Sequence, residues 1–145
     1  MAAKDIRPLR GCYMWDFSAG ADMEPGDVVY VHTDGTVLLA DNSDTKAKAS
    51  AVGVVVAGYT TTPSGSVAQT IDIKSGMRTT VVLYGMVSGY ESVSEASLYF
   101  VDSTAGDMTT TAPTTSGDFV KVIGYGINDT TILIAPVIED LTAIT

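Results

Sequence analysis

The amino-acid sequence predicts an all-β domain, a small β-barrel or β-tulip built from hairpins, with one short helical turn and an N-terminal arm. Turn-forming residues recur about every eight to twelve positions, which is typical of sandwiches and barrels. The segments between them are rich in Val, Ile, Thr and Tyr, the residues that favour strands. Residues 45–49 are the one stretch whose composition favours a helix.

The series of strands begins after a turn at residues 24–27 (EPGD). Residues 33–35 (TDG) join the first two strands as a hairpin, because Asp-Gly tolerates the positive φ angles of a two-residue turn. Residues 41–44 are expected to cap the helical turn, and residues 63–65 (PSG) to end the third strand. The predicted strands are residues 28–32, 36–40, 51–59, 67–74, 78–84, 98–101, 108–111, 119–127 and 130–135.

The length of the chain, 145 residues, predicts a single domain that buries a stable core without disulfides or metals. Its composition, 46% hydrophobic and 17% charged, excludes a disordered chain. We divide the chain into an N-terminal arm (residues 1–23), a β-barrel domain (24–136) and a C-terminal tail (137–145). Pro136 marks the end of the last strand because proline cannot donate to a ladder.

Several predicted strands are apolar at consecutive positions, at residues 28–31, 54–56, 81–84 and 132–134. A strand with one solvated face alternates apolar and polar residues, and this chain has almost no helix to cover a second apolar face. That face is therefore expected to contact another sheet, a long loop or another subunit, and we favour another subunit. The alternative is that β propensity alone places Val and Ile at exposed positions.

The charge balance limits the classes of partner. Seventeen acidic against eight basic residues give a net charge of -9, so nucleic-acid binding, which requires a Lys/Arg surface, is not expected. Membrane insertion is not expected either, because the longest apolar run, residues 51–58, is far shorter than the ~18 residues of a span. Charged residues in the first 20 positions leave no room for a signal peptide, and the single cysteine, Cys12, fits a reducing compartment.

The first ten residues differ in charge from the rest of the chain. They carry a net charge of +2, whereas the other 135 residues carry -11. Aromatic residues follow closely, and Trp, Tyr and Arg are the residues most enriched at binding hot spots. The candidate binding residues are Lys4, Arg7, Arg10, Tyr13, Trp15 and Phe17. Two alternatives remain: the segment is simply solvated, or its aromatic residues close the open end of the core.

The sequence offers few candidates for catalytic residues. His32 is the only histidine and lies beside the predicted hairpin turn, with nothing nearby to complete a triad, and one His with one Cys cannot form a four-ligand zinc site. Glu91 and Glu95 fall in a predicted loop, and residues 102–107 lack the alternating acidic ligands of a calcium loop. Residues 124–126 (GYG) lie in a strand with no helix after them. We expect neither an enzyme nor a cofactor.

The order of short motifs in the chain is more informative. The upstream part has GDVVYV at residues 26–31, DGTV at 34–37 and AVGV at 51–54. The downstream part has LYFVD at 98–102, TAG at 104–106, TTTAP at 109–113, VKVIGYG at 120–126 and DTTILI at 129–134. Over residues 24–136 this order resembles the tailed-phage capsid decoration (cement) and head-fibre proteins. The match is carried by loose patterns of turns and strands, with no invariant site.

This resemblance implies a non-catalytic homotrimer that binds the major capsid protein on the outside of an expanded head and stabilises it. It also implies assembly in the host cytoplasm and a final place on the virion surface. In such proteins an N-terminal arm often reaches onto the capsid lattice, which suits residues 4–15 here. The alternative is a receptor- or glycan-binding fibre module, for which the candidate aromatic residues are Tyr59, Tyr84, Tyr90 and Tyr125. A small trimeric β enzyme is disfavoured by the single histidine.

Overall fold

The β-branched segments of the sequence form antiparallel strands in the computed structural model, which describes residues 3–62, 65–69 and 72–145 and the side chains of residues 5–59 and 72–145. Strands account for 46% of the chain and helix for 3%, which confirms the predicted fold class. The strands are β1 (Ala3–Pro8), β2 (Tyr13–Ser18), β3 (Val28–Val31), β4 (Val37–Leu39), β5 (Gly53–Thr62), β6 (Gly65–Gln69), β7 (Arg78–Tyr90), β8 (Leu98–Val101), β9 (Met108–Thr109), β10 (Val122–Asn128) and β11 (Thr131–Ile134). The helical turn is α1 (Lys46–Ala49).

The sheet is a curled half-barrel whose strands follow the order β4-β3-β5-β7-β11-β10-β8-β9. Strand β7 is the longest, with 13 residues, and takes part in both halves of this sheet. Its first half lies between β2 and β5, and its second half lies between β1 and β11. Gly85 lies where the two halves meet, with a φ of 136° that side-chain-bearing residues rarely adopt.

Hydrogen bonds between loops join the two ends of the curled sheet. The backbone N–H of Gly106 donates to the carbonyl of Ala40 (2.9 Å), and the N–H of Val28 donates to the carbonyl of Gly106 (2.8 Å). The buried side chain of Asn42 donates from Nδ2 to the carbonyl of Val101 at 2.7 Å. These bonds connect the β3–β4 hairpin to the turn after β8, so the molecule is barrel-like.

The core has two parts, one on each face of β3, β5 and the first half of β7. The inner cluster contains Val28, Val54 and Val82, and the second cluster, on the opposite face, contains Val29, Val55 and Val81. The second cluster is completed by buried Ala19, Met23, Val37 and Ile73 and by partly buried residues, including Phe17. Of the alternatives left by the sequence, cover from within the chain is therefore the one found here. These strands give no argument for another subunit.

The segment predicted as an N-terminal arm belongs to the sheet from residue 3 onward. Strands β1 and β2 run antiparallel to β7 along its whole length, from Ala3 opposite Tyr90 to Ser18 opposite Arg78. Ile6 of β1 is buried in the inner cluster. The segment therefore contributes an edge strand and part of the core, and residue 23 does not separate two structural units.

The C-terminal tail also packs against the barrel. Leu141 is buried with Ala49 and Phe119, and Phe119 forms an isolated bridge with Ala143. The side chain of Lys121, only 3% exposed, donates from Nζ to the carbonyl of Val137 and to Glu139 Oε1. Lys121 therefore links the beginning of the C-terminal tail to the segment that directly precedes β10.

Several predicted boundaries differ from the structure. Strand β8 has the predicted bounds, whereas β7 continues beyond residue 84 because the backbone at Gly85 and Gly89 bends at positive φ without leaving the sheet. Residues 119–121 precede β10 as a loop. The cap of α1 is Thr45, whose hydroxyl accepts from the Lys48 N–H at 3.2 Å, and not residues 41–44. The predicted turn at 63–65 and strand at 67–74 fall partly outside the described residues.

Candidate interaction surface

Strand β2 carries the most exposed aromatic side chains of the described chain. Tyr13 is 74% exposed, Trp15 66% and Met14 45%. In the described part of the chain β2 pairs with β7 alone, so it is an edge strand with no paired strand on its other side. Phe17 differs, because it packs against the second cluster. The sequence left two roles open for these aromatic residues, and the structure divides them: Phe17 supports the core, while Tyr13 and Trp15 face outward.

A bulge between β1 and β2 sets the position of these side chains. The N–H of Leu9 still donates to the carbonyl of Met86 (2.9 Å), after which Gly11, at a φ of 84°, turns the chain before the ladder resumes. The register shifts again between Tyr13 and Met14. Tyr13 then lies opposite Tyr84, which is 52% exposed, and Trp15 lies opposite Val81. The aromatic surface is therefore formed by two strands.

The basic residues of the segment do not form a single cluster with the aromatic residues. Arg7 lies in β1 opposite Ser88, and its guanidinium donates to the carboxylate of Asp5 in an exposed ion pair. Arg10 is exposed in the turn between β1 and β2. Lys4 lies in β1, and its side chain is outside the described residues. An exposed ion pair is worth about 0–1 kcal/mol, so a carboxylate of a partner can replace Asp5 at little cost.

A polar network that the sequence did not reveal borders this surface. The Thr80 hydroxyl donates to Asp16 Oδ1 at 2.8 Å, and its oxygen lies 3.0 Å from the Tyr59 hydroxyl. Arg78 lies with Nε 3.6 Å from Asp16 Oδ2 and with its guanidinium carbon 4.2 Å from the centre of the Tyr59 ring. The network ties β2 to β7 and β5. The residues of this network come together only through the register of the paired strands, which the sequence alone does not give.

The four tyrosines considered for glycan binding, at positions 59, 84, 90 and 125, do not form one platform. Tyr90 is buried in the inner cluster, and its hydroxyl donates to the carbonyl of Gly26 at 2.9 Å. Tyr59 is held in the polar network, whereas Tyr84 and Tyr125 are 52% and 40% exposed on different parts of the sheet. Tyr90 is therefore not available to a ligand.

The residues considered for catalysis lie apart. His32 Nδ1 is 3.3 Å from Asp34 Oδ1, and Cys12 Sγ contacts the carbonyl of Met86 at 3.3 Å. Glu91 lines an open cavity of about 370 Å³ beside β8 and β9, together with Ser92, Ser94 and Tyr99. Among the residues that the structure describes, no three His, Cys, Asp or Glu side chains are grouped so as to hold a metal ion.

The carboxyl group of Asp27 lies where the two ends of the sheet are joined. Asp27 is half-buried, and its Oδ2 accepts from the Glu24 N–H at 2.9 Å. Burial raises the pKa of Asp27 to about 6, and the nearby carboxylates of Glu24 and Asp107 act in the same direction. The ionised carboxylate of Asp27 therefore destabilises the folded state at neutral pH.

The chain matches no protein-family model, and no curated protein matches it in sequence. No helix within the described ranges is both long and apolar enough to cross a bilayer. The resemblance to decoration and head-fibre proteins stays a prediction.

Proposed function

We propose that the chain is a viral capsid decoration protein, a non-catalytic cement protein that binds the outer surface of a phage head and stabilises it. The observation that carries the proposal is the pair of highly exposed aromatic residues, Tyr13 and Trp15, on an edge strand. Exposed Trp and Tyr side chains are costly to leave in water and are typical anchors of protein interfaces. The resemblance of residues 24–136 to decoration proteins supports the same function.

The edge position of β2 suits a protein partner in a second way. A strand that pairs on one side only offers backbone N–H and C=O groups on its other side, to which an extended segment can bind by strand addition. The aromatic side chains then give specificity on either side of the added strand. We propose that the major capsid protein supplies this contact.

The distribution of charge along the chain favours binding through the N-terminal segment. The first ten residues carry a net charge of +2 on a chain whose remainder carries -11. Arg7 and Arg10 can bind carboxylates of the lattice in a bidentate manner, which fixes direction as well as adding attraction. In the proposed homotrimer three such surfaces act together, so a modest affinity per copy becomes tight through effective concentration. The acidic remainder keeps free copies soluble in the host cytoplasm before they join the virion.

The test is binding to purified expanded heads of the phage that carries the gene. We expect the wild-type protein to occupy the heads and Trp15→Ala to weaken binding by about 2 kcal/mol or more, which is roughly 30-fold. Ile138→Ala is the matched control, because Ile138 is 99% exposed but lies in the C-terminal tail. Absence of binding by the wild-type protein would contradict the proposed function, and equal loss in both variants would contradict the role of β2.

The second candidate function is a receptor- or glycan-binding fibre module. The observation that favours it is the exposed pair of Tyr13 and Tyr84, because two adjacent aromatic rings are able to stack on sugars. A glycan array with the purified protein separates the two functions. Specific glycan binding that is lost in Tyr84→Ala, together with no binding to heads, would favour the fibre module.

A further inference from the structure

A second exposed apolar surface lies on the outer face of the other half of the sheet. Cross-strand register places Leu98 opposite Tyr125, Tyr125 opposite Leu133, and Leu133 opposite Met86. Leu9 continues the line, since its N–H donates to the carbonyl of Met86. We call these five residues the outer row. At a strand spacing of about 4.8 Å it is roughly 19 Å long.

The outer row is not needed for the core of its own chain. The opposite face of the same strands is filled by buried residues of the inner cluster, among them Val87, Tyr99, Ile123 and Ile132. Four members of the row are nevertheless exposed, Leu98 by 49%, Tyr125 and Met86 by 40% and Leu9 by 39%. This differs from β3 and β5, whose outer face is covered by the second cluster. The row is thus an apolar surface that the described chain leaves in contact with water.

Charge indicates which partner fits this face. Strands β8, β10 and β11 and residues 85–90 of β7 contain no Asp, Glu, Lys, Arg or His, although the chain carries a net charge of -9. A basic partner would be attracted to the acidic surfaces elsewhere on the molecule, and these uncharged strands would offer it no ion pair. Two copies of an acidic chain repel each other, so they associate most easily where neither contributes a charge. The outer row meets this condition from Leu98 to Met86, and only its end at Leu9 lies next to a charged side chain, that of Arg7 opposite Ser88.

The size of the face sets the strength of the contact. The row is one side chain wide on each strand, so its apolar area does not exceed that of the largest apolar patch on a typical monomer, about 300–600 Å². Stable interfaces bury about 800 Å² per partner, so this face alone predicts a weak, concentration-dependent contact and not an obligate complex.

We propose that copies of this chain associate through the outer row, with the rows of the copies facing one another across a shared symmetry axis. The proposal rests on the proposed function only for the number of copies, three; the contact itself is argued from the face. It leaves Tyr13 and Trp15 free for a different partner, because they lie on β2, which pairs with the first half of β7.

The experiment measures the mass of the full chain in solution over a concentration series from about 1 to 100 μM, because a weak contact depends on concentration. We expect a wild-type oligomer and, in Tyr125→Glu and in Leu98→Glu, a dissociation constant at least tenfold larger, because a carboxylate would be buried against apolar side chains. Ile138→Glu is the matched control, since it places the same charge on a 99% exposed apolar position outside the row. Mixing Tyr125→Glu with Tyr125→Lys should restore part of the association, because opposite charges then meet in mixed assemblies.

Each result has a definite meaning. A wild-type monomer at the highest concentration, unchanged association in both row variants, or equal loss in the control would overturn the proposal. Circular dichroism checks that each variant is folded, and Leu98→Glu, at the start of β8, serves if Tyr125→Glu does not fold. Binding to heads is measured separately. An oligomer that depends on the row but does not bind heads contradicts the proposed function alone, and a monomer that binds heads contradicts this inference alone.

Discussion

Tyr13 lies directly opposite Tyr84 in the antiparallel ladder between β2 and β7, and both side chains are exposed, by 74% and 52%. The two residues are far apart in sequence and belong to segments that the sequence assigned to an arm and to a barrel. Their pairing means that the aromatic surface is a feature of the folded sheet. Its shape is set by the β2–β7 register and does not depend on a loose segment becoming ordered on binding.

The first prediction follows from this pairing. Tyr84→Ala should weaken binding to purified heads by about 1–2 kcal/mol, comparable to Tyr13→Ala, because both rings belong to one surface. The free energy of unfolding should fall by less than about 1 kcal/mol, since an exposed cross-strand pair contributes little. Binding is measured by occupancy of heads, and stability by urea titration. Loss of binding in Tyr13→Ala alone would indicate that the N-terminal segment binds without β7.

The second prediction concerns removal of the basic residues. Deletion of residues 1–10 removes β1 and the buried Ile6, so it should lower the free energy of unfolding by several kcal/mol, because burying one such side chain contributes about 1.5–3 kcal/mol. The double variant Arg7→Ala, Arg10→Ala removes two of the three positive side chains and should change stability by less than about 0.5 kcal/mol. Thermal melts of both proteins provide the measurement. A deletion variant as stable as the wild type would show that β1 adds nothing to the core.

The third prediction concerns Gly85. A Cβ atom there would lie 2.5 Å from Cys12 Sγ, at a φ of 136°, so Gly85→Ala should destabilise the fold by about 2–4 kcal/mol. Gly35→Ala is the matched control, because Gly35 also has a positive φ, 84°, but nothing lies within 4 Å of its Cβ position. The control should cost only about 1 kcal/mol, for backbone strain alone. If chemical denaturation gave similar losses of stability for Gly85→Ala and Gly35→Ala, Cys12 would have moved to make room for the added methyl group.

The fourth prediction concerns pH. The pKa of Asp27 is about 6 in the folded chain against an ordinary value of 3.8, so the folded state binds a proton more tightly than the unfolded state between these values. This contribution to stability is full below the unfolded pKa, falls as the pH rises through that interval, and is lost above about pH 6. Asp27→Asn should therefore flatten this part of the profile.

The magnitude for Asp27→Asn is a gain of about 1–2 kcal/mol at pH 7–8, less than the full shift would give because the carboxyl keeps part of its hydration. The hydrogen bond from the Glu24 N–H is retained by the amide oxygen. Asp72 is exposed and lines an open cavity of about 270 Å³ together with Asp27, so Asp72→Asn serves as the control. Melting temperatures from pH 4 to 8 are compared, and parallel profiles for wild type and Asp27→Asn would contradict the assignment.

The sequence predicted the local structure well where the signal is local. The hairpin at Asp34-Gly35 forms with Gly35 at a φ of 84°, and β8 has the predicted bounds because turn residues flank an uninterrupted β-branched and aromatic run. Strand β7 was predicted too short, since Gly85 and Gly89 look like strand breakers. In the structure both glycines bend the strand while its ladder continues, a distinction that depends on neighbours distant in sequence.

The candidate surface was predicted in part. Tyr13, Trp15 and Phe17 were singled out from composition, but which of them would be buried depends on the register with β7, and only Phe17 packs against the core. The outer row was not foreseen, because Leu98, Tyr125, Leu133 and Met86 are adjacent only once four strands are aligned. The apolar runs at residues 54–56 and 81–82 suggested another subunit, but a cluster within the chain covers them.

The sharing of β7 by both halves of the sheet has a consequence for how the molecule folds. Each half obtains its central strand from the same 13 residues, and the partners of that strand come from the beginning, the middle and the end of the chain. Closing these long loops costs entropy before any pairing repays it, so folding is expected to be slow for a protein of this size. If one half of the sheet unfolds, the other half loses part of its central strand. Unfolding should therefore be a single cooperative event with no stable half-formed intermediate.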